Sequence, residues 1–175
     1  MPATYVLLSH TSVTGSPSVV TISSIPSTYS TLVLKCAVRF NLAATLDTIG
    51  IRFNGDDVGA NYYSIGGGRN WTTNSNYWYS NLQGVLALNS ASGDNLAAGT
   101  VGFFEATIIN ANTSQQKTVV ARGGVSNSSF TNETNYCYGG MWNITTAINS
   151  INVRSSSTGP FMDNSTISLY GLTNT

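Results

Sequence analysis

The chain has 175 residues, seven of them basic and seven acidic, and charged residues make up only 8 % of it, against roughly 25 % in an average soluble domain. That length suits one domain with a sizeable core. The charge balance excludes a basic footprint for nucleic acid and a polybasic segment for an anionic membrane, and no apolar run reaches the ~18 residues of a spanning helix.

The opening "MPATYVLLSH" has neither a basic start nor a long apolar run, so it does not read as a secretory signal. It reads instead as a first strand from about the fourth residue, with His10 near its end. "SVVTISSI" follows as a second strand, and "SIPSTY" turns the chain into "TLVLKCAVRF". There Leu32, Leu34, Cys36, Val38 and Phe40 share one face, and Val33, Lys35, Ala37 and Arg39 share the other. A period of two with a mixed outer face predicts a half-buried strand. "DTIGIRF" repeats the pattern, with Ile49, Ile51 and Phe53 inward and Arg52 outward. "NGD", Asn54 to Asp56, then predicts a tight turn, because Asn-Gly is favoured where φ is positive. The glycines at 66 to 68 predict a sharp bend.

Further strands are expected in "NYWYSNLQGVLALN", "TVGFFEATIIN", "KTVVARGGV", "NYCYGGMWNI", "SINVRSS" and "STISLYGL", separated by clusters of Gly, Asn and Ser. "NITTAIN" can form a helical turn, although its β-branched residues oppose a long helix. About ten short strands with such turns predict one all-β antiparallel sandwich or barrel over residues 1–175. Ser, Thr and Asn together supply 64 of the 175 residues. A surface of that kind is polar but nearly uncharged and repels other copies weakly; it fits a protein built to assemble, or an ordinary secreted β-domain.

Candidate chemistry is sparse. His10 is the only histidine and no G-x-S-x-G elbow accompanies it, so a Ser-His-Asp triad is not expected. Of the acids Asp47, Asp56, Asp57, Asp94, Glu105, Glu133 and Asp163, most lie in turn-like or polar-loop stretches, and Glu105 alone is expected within a strand. An inward Glu105 would need a partner. Asp56 and Asp57 suit calcium chemically, but adjacent turn residues point apart and the EF-hand spacing is missing. "GGGRN" is too short for a phosphate cradle and opens no helix. Cys36 and Cys137 lack zinc-type spacing; they are expected as buried free thiols, with a disulfide between them as the alternative. No catalytic residue, cofactor or metal is therefore predicted. What stands out is aromatic: Tyr62, Tyr63, Trp71, Tyr77, Trp78 and Tyr79 fall within 18 positions. Tyr62, Tyr63, Trp71 and Trp78, with Arg69 at the rim, are the candidates for an oligomer contact or a sugar-stacking platform.

Four segments carry a resemblance. "TYVLLSHTSV", "SIPSTYSTLVLKCAVR", "IRFNGDDVGANYY" and "ISLYGLTNT" are similar to the small virion structural proteins of tailed bacteriophages, cyanophages included. The likeness runs over the whole chain, and its termini and "RFNGD" are its specific parts. It implies a jelly-roll β-sandwich made in the host cytoplasm and displayed on the virion surface. The implied role is a capsid decoration or cement protein, or a head-fibre or tail component. The implied partners are further copies of the chain, as a homotrimer, and the major capsid protein or other virion proteins. It supplies no catalytic residues. A carbohydrate-binding fibre module touching a host glycan is the alternative, and an enzyme is the third reading.

Overall fold

Among the described residues, alternation is carried through into twelve strands. They are β1 (Thr4–Ser12), β2 (Val19–Ile22), β3 (Thr31–Val38), β4 (Leu46–Phe53), β5 (Tyr62–Asn70), β6 (Ser75–Asn81), β7 (Leu86–Ser92), β8 (Gly102–Ile109), β9 (Lys117–Val125), β10 (Thr134–Trp142), β11 (Ile151–Ser155) and β12 (Thr166–Thr173). The computed structural model describes residues 4–44, 46–70, 75–81, 86–93, 95, 99–125 and 134–173; at 46, 69–70, 75–81, 86–91 and 134 it describes the backbone alone. A three-residue 3₁₀ turn, Gly59–Asn61, is the one helical element among these residues. "NITTAIN" forms no helical turn: residues 143–150 are an irregular connection.

The strands form an eight-stranded sheet, β1-β12-β3-β8-β9-β10-β5-β6, and a four-stranded sheet, β2-β11-β4-β7, with antiparallel pairing throughout. Eight strands pair in nested fashion: β1 with β12, β2 with β11, β3 with β8, and β4 with β7. The first and third of these pairs lie in the large sheet, the other two in the small one. That double-Greek-key nesting is the jelly roll. β5-β6 is inserted within the β4/β7 pair, β9-β10 follows β8, and together these four strands extend the large sheet. The terminal strands β1 and β12 pair with each other.

Between the sheets lies an apolar core. Leu32, Leu34, Val38 and Phe40 from the β3 run meet Ile49, Ile51 and Phe53 of β4, Phe104, Ala106 and Ile108 of β8, and Ile167 and Leu169 of β12, all with no exposed surface. Each of these side chains larger than alanine contributes about 1.5–3 kcal/mol by leaving water. The predicted inward faces of the third and fourth strands are the observed ones.

Three expectations are corrected. Gly66–Gly68 make no bend; they lie inside β5, opposite Gly67↔Cys137 and its neighbours in β10. A Cβ on Gly66 would stand 2.1 Å from Tyr138 Cδ1, and one on Gly68 2.4 Å from Tyr136 Cδ1. The stacked rings of Tyr136 and Tyr138 lie across this strand, so glycine is required for close approach. Cys137 is exposed, because Tyr136 and Tyr138 take the inward positions of β10 and put position 137 on the other face. Cys36 is buried and both thiols are free. Finally, Glu105 is not alone in a strand: Asp47 lies in β4 and is buried, its carboxylate accepting from Ser155 Oγ at 2.6 Å and Thr48 N at 2.6 Å.

Candidate functional site

Two regions gather polar side chains, and they differ in kind. The first is the corner where the chain leaves β4 in the small sheet for β5 in the large one. Backbone groups lose their ladder partners at such a crossing and must find others. Asn54 and Gly55 take positive φ, 54° and 69°, as the Asn-Gly pair predicts, and Asp56 N donates to Phe53 O to close the turn. The Asn54 side chain then pins the connection into β11: Nδ2 donates to Ala147 O, and Oδ1 accepts from Asn149 N and Ser150 N.

Asp56 is the hub of that corner. Its Oδ2 accepts from Trp142 Nε1 at 2.7 Å and Asn61 Nδ2 at 2.9 Å, and its Oδ1 from Val58 N at 3.0 Å. Tyr62 Oη donates to the Asp56 carbonyl and accepts from Phe53 N. The rings of Phe53, Tyr62 and Trp142 pack together, with Trp142 5.4 Å from Phe53 and 6.4 Å from Tyr62. Burial pushes the Asp56 carboxyl up, but hydrogen bonds from Trp142, Val58 and Asn61 and the Arg52 charge outweigh it and hold the group below its ordinary range. Burial pushes the Tyr62 phenol up to about 12. Beside this corner Lys117, fully buried, donates from Nζ to Thr113 O, Gln115 O and Thr145 O. The hydrogen bonds named here are all made within the chain. Tyr62 is thus a core residue, 1 % exposed, and is withdrawn as an interface or glycan contact.

The second region is the outer face of the eight-stranded sheet. Its cross-strand rows follow from the register. One runs His10, Ser168, Lys35, Glu105, Arg122, Cys137, Gly67, Trp78. Another runs Leu7, Tyr170, Val33, Thr107, Val120, Gly139, Ile65, Ser80 over the same strands. Of ten exposed large apolar side chains among the described residues, seven stand on this face: Tyr5, Leu7, Tyr63, Ile65, Phe103, Ile109 and Val120. Seven spacings of about 4.8 Å and eight residues at about 3.4 Å make a face of roughly 34 by 27 Å. That matches the ~800 Å² each partner gives to a standard protein contact.

Among the described side chains of these strands, the charge on this face is gathered around Glu105. Glu105 Oε2 lies 3.2 Å from Lys35 Nζ, and its Oε1 accepts from Arg122 Nη2 at 3.1 Å. Glu105 therefore faces outward, with two cationic partners. Lys35 also stands over the rings of Tyr5 and Tyr170, at 5.5 and 5.8 Å. His10 is hydrogen-bonded to Ser168 Oγ through Nδ1 at 2.9 Å, and no acid joins them among the described residues. Beside the salt bridges lies a trough of about 540 Å³. Its walls include Ile65, Thr107, Val120 and Cys137, Gly67 and Gly139 leave its floor open, and Glu105 and Arg122 stand at one end.

The remaining predicted contacts divide. Tyr63 is 43 % exposed on this outer face, opposite Met141. Arg69 stands opposite Asn135 in β5 and Trp78 opposite Gly67 in β6, but the side chains of both lie outside the described residues. Trp71 lies outside them altogether. Ile65, Val120 and Gly139 were not singled out from sequence. A signal existed in "GFFEATII" and "KTVV", which are apolar at both parities and so ask for cover on both faces. No group of three or more His, Cys, Asp or Glu placed to hold a metal is found among the described residues. Comparison with protein-family models, with curated proteins and with solved structures finds no significant match.

Proposed function

We propose that this chain is a structural protein of a tailed-bacteriophage particle, a decoration or cement protein that assembles as a trimer on the capsid surface. It works by covering surface and carries out no reaction. The observation behind this is the outer face of the large sheet, where seven large apolar side chains lie in the open around a single short row of charge, Lys35, Glu105 and Arg122. Exposed large apolar side chains gathered on one sheet face mark an interaction site. The resemblance of "RFNGD" and of both termini to virion proteins supplies the class of partner. Bound to an assembled shell and not to its dissociated subunits, such a protein stabilises the shell by mass action. The chain is then made in the host cytoplasm and ends on the virion surface.

The glycan-binding alternative has less behind it. Of its proposed stacking rings, Tyr62 is consumed by the core and Tyr63 is the one described as exposed. Electron microscopy and mass spectrometry of purified particles test the proposal. Regularly placed copies that bury the outer sheet face are expected, and particles without this chain end it. Light scattering of the purified protein is expected to give a trimer mass.

A further inference from the structure

We propose that the trough between Val120 and Ile65 is a socket for one bulky apolar side chain of a partner protein, with a partner carboxylate docking on Arg122 beside it. This rests on reading the outer face as a docking face. The shape comes from glycine: a Cβ on Gly139 would meet nothing nearer than Ile65 Cγ2, at 3.9 Å. The space over that residue is therefore open, and it is flanked by apolar walls. Its volume lies within the ~300–1,000 Å³ of ordinary ligand pockets.

The charge comes from an imbalance. Both Glu105 oxygens are engaged, one by Lys35 and one by Arg122, so the row carries one net positive charge. Arg122 is 68 % exposed and gives only Nη2 to Glu105; a guanidinium has five N–H donors and favours a carboxylate. A second copy of the chain meets this row with the same positive excess and with a concavity instead of a projection. A two-fold contact needs a self-complementary patch, and this one is not. The occupant is therefore not this same face of a second copy; it is a partner protein presenting an apolar side chain next to an acid.

The test uses 3-phenylpropionate as the probe and backbone amide NMR of the whole chain as the readout. Saturable shifts are expected at Gly67, Val120, Arg122 and Gly139, and 3-phenylpropylamine is expected to bind at least about tenfold more weakly. Gly139→Leu fills the trough and is expected to abolish the shifts. Alkylating Cys137 with N-ethylmaleimide fills it in the already folded protein and is expected to do the same. Arg122→Gln is expected to bring the acid down to the level of the amine. Absence of saturable shifts, equal binding of acid and amine, or binding that survives the filled trough overturns the socket. None of these outcomes depends on finding the chain on a particle, so the socket and the virion reading fail separately.

Discussion

Asp56 and Glu105 each accept from more than one donor, yet one sits at a corner of the sandwich and the other in the middle of a sheet. The donors to Asp56 come from the last ladder pair of β10, Trp142↔Tyr62, and from the loop and 3₁₀ segment just before β5, which lie outside the strands. Those around Glu105 come from the register neighbours on either side, in strands already held by their own ladders. At the corner the side chain replaces missing backbone pairing, so its loss is felt by the fold. In the sheet the side-chain pairs are additional, exposed, and exchangeable for contacts with another molecule. A polar cluster is thus judged by whether the backbone around it stands without it.

The contrast can be broken most strongly at Trp142. Trp142→Ala removes a fully buried indole and one of the two donors to Asp56 Oδ2, and a loss of about 3–5 kcal/mol is expected in urea unfolding; a loss below ~1 kcal/mol removes the corner from the account. Next are the glycines of one neighbourhood. Gly68→Ala puts a Cβ 2.4 Å from Asn135 O and from Tyr136 Cδ1, and about 1–3 kcal/mol of destabilisation is expected. Gly139→Ala, facing the trough, is expected to stay within about 0.5 kcal/mol of the parent, so equal effects at the two glycines contradict the assignment of inner and outer faces.

Asp56→Asn is expected to cost about 1–3 kcal/mol near neutral pH. Because the folded chain holds the Asp56 carboxyl below its ordinary range, its contribution is present above the unfolded carboxylate value of about 3.9. It is lost as pH falls through the lowered folded value. The Asn variant should accordingly show a flatter acid limb in stability against pH, and an unchanged limb points to another carboxylate. The smallest effect belongs to Glu105→Gln: its salt bridges lie on an open sheet face, and less than about 1 kcal/mol is expected in the same urea assay.

Much of the fold was legible because a period of two is a local property. Leu32, Leu34, Ile49, Ile51 and Phe53 point inward in sequence and in structure, and Asn54-Gly55 makes its turn because two positive φ values suit that pair. Long-range relations were not legible. The need for Gly66 and Gly68 is set by Tyr136 and Tyr138, some seventy residues away in the chain, so a strand passed for a bend. Tyr62 looked like a surface aromatic among Asn and Gly, and only the partners Phe53, Asp56 and Trp142 make it core. Strand order alone brings Glu105, Arg122, Gly139 and Ile65 side by side, and no spacing in the sequence encodes that.

Cys137 offers the most direct measurement. It lines the trough and is exposed, whereas burial raises the Cys36 thiol well above its ordinary value and leaves it unreactive. Maleimide labelling rates can therefore be compared between the free protein and the assembled particles on which we propose that it sits. Docking through the outer sheet face predicts rapid labelling of the free chain and at least about tenfold protection on the particle. Equal rates in the two states would contradict it.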